Sequence, residues 1–276
     1  EDSLYVSEGL FHLKTPWSKF LWGPPGAGKT FVLGHLIKQI LVNNSNEKTL
    51  IVAPSNRAVD VAVEQLINQF SEYEKLEFLM SRRILRYGYP RKREILENTE
   101  LLGPSNLSDL QKQIKDTSVK ISKAEKNNDI SSLVILRAQI LDLQEEVKNA
   151  IKEHVKGCSV VATTTTLSFM ASSPISEINW DNVIVDEVTM VTPALCLFLA
   201  SLSVKRFLIA GDPRQLGPVY VNNIEASETA QKWMGKDIFD LCGIGDELRE
   251  NTISNKTDNR LIKITSQRRC SPPIWN

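Results

Sequence analysis

Short, nearly unbroken apolar runs alternate along this chain with longer stretches whose apolar residues recur every three or four positions. The first kind reads as strands covered on both faces, the second as helices packed on them. Their alternation predicts an α/β fold with a parallel sheet. Strands are expected at residues 20–22, 49–53, 159–162, 183–185, 207–210 and 261–264. Helices are expected over 30–42 and from Ser55 or Asn56, either of which can cap a helix, to Phe70. The second of these carries Val59, Val63, Leu66 and Ile67 on one face. The apolar run over 194–200 reads as a buried helix.

Between the second helix and residue 159 the pattern changes. Leu133, Leu136, Ile140, Leu143, Val147 and Ala150 follow an alternating three-and-four spacing, which is a heptad seam. Leu107, Leu110, Ile114 and Ile121 form a looser version, and Lys126, Asn127, Asn128 and Asp129 make a polar break between the two. Residues 107–155 therefore read as an antiparallel helical hairpin inserted into the α/β domain. It is either a solvated spacer or a contact for nucleic acid or a protein partner.

Three segments carry chemistry. Gly23-Pro24-Pro25-Gly26-Ala27-Gly28-Lys29-Thr30 fits the P-loop pattern, with an apolar strand before it and a helix after it. Glycines let the backbone curl so that N–H groups converge on phosphate oxygens, and the helix adds its positive end. Lys29 suits the β- and γ-phosphates and the Thr30 hydroxyl suits Mg²⁺. Val183, Ile184 and Val185 run into Asp186 and Glu187, an apolar strand ending in two carboxylates. Asp186 suits Mg²⁺, and Glu187 suits deprotonation of an attacking water. Residues 207–218 hold a strand, a Gly211-Asp212 turn and Gln215, whose amide offers both donor and acceptor to a γ-phosphate or water. ATP and Mg²⁺ are the expected cofactors.

The order of these segments resembles the superfamily 1 helicases. The resemblance rests on the P-loop, Ala53-Pro54-Ser55-Asn56-Arg57-Ala58-Val59-Asp60, the 183–187 and 210–218 segments, and Gln267-Arg268-Arg269-Cys270-Ser271-Pro272. It is nearest to the 5′-to-3′ group that contains the nonsense-mediated-decay helicase, senataxin and the immunoglobulin mu-binding helicase. It spans nearly the whole chain, from about Leu21 to Pro272. It implies a RecA-like P-loop NTPase domain in two parts, residues 1–70 and 158–276. Residues 71–157 are then an insertion, mainly the hairpin.

The same resemblance implies roles. Gly23, Pro24, Pro25, Gly26, Ala27, Gly28, Lys29 and Thr30 bind nucleotide, and Thr30 and Asp186 bind Mg²⁺. Glu187 is the catalytic base, assisted by Lys29, Gln215 and Arg269. Pro54, Ser55 and Asn56, with Thr163, Thr164, Thr165 and Thr166, line single-stranded RNA or DNA. Arg268 stands where the family has an adenine-contacting tyrosine; its guanidinium can still stack on a base. The family's upstream adenine-reading glutamine has no clear match, and Ser7-Glu8 lies near its place. The second RecA-like domain, a necessary partner, lies outside this chain. Since the chain starts at Glu1 without Met, it reads as a piece of a longer protein.

Composition narrows the picture. With 33 basic and 33 acidic residues the net charge is zero, so any grip on nucleic acid is local. The densest basic segment, 81–93, reads as a buried strand with a solvated face, with Arg91, Lys92 and Arg93 available to a backbone. Cys158, Cys196, Cys242 and Cys270 lack metal-ligand spacing and are expected as reduced thiols in a nuclear or cytoplasmic protein. No apolar run reaches the roughly 18 residues of a membrane span. Asn255-Lys256-Thr257-Asp258 mimics a guanine motif, but a polar segment precedes it and Thr189 stands where the GTPase switch needs glycine. The expected function is an ATP-hydrolysing helicase motor; the alternative is an ATP-dependent clamp on nucleic acid or a partner, with little turnover. A coiled-coil ATPase of another type would need a signature loop that the chain lacks.

Overall fold

The structure is a computed structural model and describes residues 2–218, 233, 235–245, 248 and 258–264. Among the described residues seven strands form one parallel sheet: β1 (Trp17–Trp22), β2 (Thr49–Ala53), β3 (Ile84–Arg86), β4 (Val160–Thr164), β5 (Trp180–Val185), β6 (Ser203–Gly211) and β7 (Leu261–Lys263), in the order β3-β4-β2-β5-β6-β1-β7. The α/β class with a parallel sheet is thus as the hydrophobic pattern predicts. Alternation along each strand builds two cores. In β2, Ile51 and Ala53 join the core under α1 (Asp2–His12), α2 (Lys29–Asn43) and α3 (Asn56–Ile67). Leu50 and Val52 join the opposite core, which includes residues of helix α9 (Pro193–Ser201).

Local signals set the helix starts. Ser55 caps α3, its hydroxyl accepting from the Ala58 N–H at 3.2 Å. Ser71 and Glu74 form a reciprocal capping box on α4 (Glu72–Met80). Gly34 lets α2 approach α3, because a Cβ there would stand 2.9 Å from the Gln65 carbonyl oxygen. The short helix α5 (Arg93–Leu96) follows β3.

The hairpin consists of α6 (Leu107–Lys126) and α7 (Ile130–Gly157). On α6, Leu110, Thr117 and Ala124 are buried, between the half-buried Leu107, Ile114 and Ile121. The seam is therefore as regular on α6 as on α7; Thr117 and Ala124 complete it without the bulk that marks a heptad in sequence. After β4 comes α8 (Thr165–Phe169), and α10 (Ile238–Leu241) lies between β6 and β7. Among the described residues no helix is long and apolar enough to cross a membrane.

Strand β3 is buried as the sequence predicts, but it has no solvated basic face. Arg86 is fully buried, and its Nε meets the equally buried Asp60 carboxylate at 2.7 Å. The other Asp60 oxygen accepts from the Arg91 and Lys92 N–H groups. Lys92 pairs with Glu64 at 2.5 Å, whereas Arg91 and Arg93 stay exposed, Arg93 pairing with the exposed Glu97 at 2.6 Å.

Candidate functional site

Parallel strands deliver their C-terminal ends to one edge, where ligands bind in open α/β sheets. Here β6 lies between β1 and β5, so the segments following all three meet. The β1 segment is the P-loop. Gly26 and Gly28 take left-handed backbone (φ 82° and 91°), which is easy for glycine and lets the loop close on itself. The Lys29 ammonium donates to the Gly23 carbonyl at 2.5 Å.

The β5 segment supplies the two carboxylates. The Thr30 hydroxyl donates to Asp186 Oδ2 at 2.9 Å, joining residues 156 positions apart. Asp186 is buried, and desolvation pushes its carboxyl pKa up; the Thr30 and Glu187 hydrogen bonds and Lys29 oppose the rise. Glu187 sits at φ 52°, a conformation uncommon for a non-glycine residue and a recurrent feature of functional sites. Burial, then the neighbouring Asp186 charge, pushes its carboxyl pKa up, while Lys29 pulls it down. A raised pKa makes a carboxylate a better proton acceptor.

The β6 segment brings Gln215. Its amide Nε2 donates to Asp212 Oδ2 at 3.3 Å, and its backbone N–H donates to the Asp212 carbonyl at 2.9 Å. Gly26, Gly28, Lys29, Thr30, Asp186, Glu187 and Gln215 all line one cleft of about 910 Å³. Such a volume suits a nucleotide-sized ligand. Thr30 and Asp186 offer a hard oxygen pair, the donor set Mg²⁺ accepts while keeping water and phosphate as its other ligands. Among the described residues no cluster of three or more His, Cys, Asp or Glu could hold a metal without such help.

The structure puts the strand-contact candidates elsewhere on the same edge. Ala53 pairs with Thr164 across β2 and β4, so Pro54, Ser55 and Asn56 emerge beside Thr165 and Thr166. Strand β2 is the direct neighbour of β5, and Val61 and Gln65 of α3 line the nucleotide cleft, so the two sets of loops adjoin. Thr163 and Thr165 are buried, Thr164 caps α8, and Ser55 and Thr166 are exposed. Arg86 fixes this edge too, since its Nη2 donates to Asn56 Oδ1 at 2.9 Å. Sequence reasoning missed the Arg86–Asp60 pair because spacing along the chain does not show that β3 and α3 pack together. Burial pushes the Cys158 and Cys196 thiols up to about 12, as unreactive thiols should be. Arg268, Arg269, Cys270 and most of the guanine-motif mimic lie outside the described residues.

The family model that matches, described as an AAA domain, covers residues 11–135 and 103–223. The chain belongs to this family. Its relatives agree with the superfamily 1 resemblance. The DNA polymerase alpha-associated DNA helicase A of Saccharomyces cerevisiae is 28% identical over 71% of this chain and 30% of its own length. The ATP-dependent helicase upf1 of Schizosaccharomyces pombe is 26% identical over 72% of this chain and 20% of its own. The putative helicase mov-10-B.1 of Danio rerio is 26% identical over 94% of this chain and 22% of its own. This AAA domain is thus a helicase domain, and it spans less than a third of the length of these relatives.

Proposed function

We propose that this helicase domain binds ATP with Mg²⁺, hydrolyses it, and drives movement along single-stranded RNA or DNA. The observation that carries the reading is the Thr30–Asp186 hydrogen bond at 2.9 Å, which joins the P-loop to the carboxylate strand in the cleft that Glu187 and Gln215 also line. In this reading the P-loop backbone and Lys29 cradle the phosphates and balance their charge. Thr30 and Asp186 hold the metal, which supplies charge neutralisation on the phosphates when bound. Glu187 accepts a proton from the attacking water, and Gln215 orients that water.

The domain division belongs to the same proposal: residues 1–70 and 158–276 form the RecA-like unit, and 71–157 is its insertion. The relatives' greater length supports a second RecA-like domain beyond this chain, whose closing on ATP and reopening would move the strand held at Pro54–Asn56, Thr164 and Thr166. The basis for nucleic acid as the track is the relatives' printed names as helicases together with this second set of loops on the sheet edge.

The test is ATP turnover by the full-length protein, with and without single-stranded RNA and DNA, beside Glu187→Gln. Expected are stimulation by one polymer and a drop of roughly 10²- to 10⁴-fold in the variant, with nucleotide binding retained. Full turnover in Glu187→Gln sinks the catalytic assignment. Tight ATP-dependent binding without turnover favours the clamp.

A further inference from the structure

The residue immediately before the P-loop is Trp22, at the last position of β1. An aliphatic side chain would fill a strand end equally well, whereas an indole brings an N–H that must find an acceptor when buried. Trp22 is 9% exposed, and its Nε1 donates at 3.0 Å to Asp212 Oδ1; Asp212 is 3% exposed. The same carboxylate accepts from the Arg214 N–H at 3.1 Å and from the Gln215 amide at 3.3 Å. The Arg214 guanidinium lies over the indole, 5.3 Å from the ring centre, and donates to the Leu248 carbonyl. Backbone contacts complete the junction: Trp22 pairs with Gly211 in β6 and Lys263 in β7, and its carbonyl accepts from the Ile264 N–H at 2.8 Å.

We propose that Trp22 is a positioning residue that holds Gln215 in register with the P-loop, so that the cleft distinguishes a nucleoside triphosphate from a diphosphate. The inference rests on the γ-phosphate role given to Gln215 above. The Gln215 amide gives an N–H to Asp212, which leaves its carbonyl oxygen and second N–H for a phosphate or water in the cleft. That orientation holds only while the carboxylate stays fixed. The indole N–H fixes one of its oxygens from the strand that also leads into the P-loop, so the two phosphate-facing segments share one anchor. If the ring served only to fill space, phenylalanine would replace it with no change in nucleotide preference.

The experiment compares wild type, Trp22→Phe, Gln215→Ala and the double variant in the full-length protein. Kd is measured for ADP and for a non-hydrolysable ATP analogue, and kcat and KM for ATP. Phenylalanine keeps an aromatic ring under Arg214 while removing the donor and part of the indole's bulk. Expected for Trp22→Phe is an unchanged ADP Kd and a loss of triphosphate preference of roughly tenfold, the scale of one hydrogen bond to a charged group. The kcat should fall with it, and the double variant should be no worse than Gln215→Ala. Unchanged preference in Trp22→Phe, with preference lost in Gln215→Ala, overturns the proposal and leaves the motor reading standing. Equal weakening of ADP and analogue makes Trp22 a packing residue and also overturns it. If Gln215→Ala changes neither preference nor turnover, the γ-phosphate role falls and the inference with it. Absent wild-type turnover sinks the motor reading while the Kd comparison still decides the role of Trp22.

Discussion

Asp186 shows what a site residue costs its fold. Folding strips water from its carboxylate, and the Thr30 hydroxyl and Glu187 N–H restore only part of the lost hydration. The raised pKa means that the folded chain binds this proton more tightly than the unfolded chain does. The contribution to stability is therefore most favourable below the ordinary aspartate range and is lost as pH rises through the folded pKa. Asp186→Asn removes the buried charge and can keep a Thr30 contact. Its melting temperature should exceed that of wild type at neutral pH, with the gain shrinking as pH falls towards about 4. Thermal melts across pH read this directly; a variant less stable at neutral pH would mean that the ionised carboxylate holds the P-loop in place. Higher stability would be the trade expected of a residue kept for the proposed Mg²⁺ role.

At the scale of elements, the buried Arg86–Asp60 pair ties β3 to α3 and, through Asn56, to the start of α3. Asp60 accepts three hydrogen bonds, from Arg86, Arg91 and Lys92, so its charge is well compensated only while Arg86 is present. Removing one partner of a buried pair strands the other. Arg86→Leu should destabilise the domain by about 3–5 kcal/mol in urea unfolding. A loss of only a few tenths would mean that water reaches Asp60 and replaces the guanidinium. The hairpin carries the opposite lesson. Its α7 seam stands out because leucine, isoleucine and valine dominate it, whereas the α6 seam needs the polar Thr117 and the small Ala124.

Across the whole molecule, one sheet edge holds two sets of loops. The nucleotide cleft follows β1, β5 and β6 and is bounded by Val61 and Gln65 of α3, and the strand-contact candidates follow β2 and β4. The hairpin is anchored at its base, where Val155 is fully buried and Lys152 pairs with Glu177 at 2.6 Å. Its far part mostly packs on itself and exposes Val134, Ile135 and Leu141. Replacing residues 117–140 with a short turn should leave the ADP Kd unchanged, because the cleft takes no lining residue from the hairpin. Isothermal titration of the trimmed protein checks this, and a weakened Kd would show that hairpin and cleft are coupled. Polymer-stimulated turnover of the same variant separates spacer from strand contact: a spacer leaves the stimulation intact.

What the sequence by itself determined is local. The apolar runs became strands, Ser55 became a cap, and the P-loop glycines took the backbone that phosphate binding needs. Each of these follows from side-chain size, branching or backbone freedom within a few residues. The motifs named Thr30, Asp186 and Gln215, but not the bonds among them and their neighbours. Only the tertiary structure decided that β6 lies between β1 and β5, that Trp22 reaches Asp212, and that a basic run hides Arg86 against Asp60. Those pairings depend on which strands become neighbours and which charges lose their water, and no spacing along the chain encodes either.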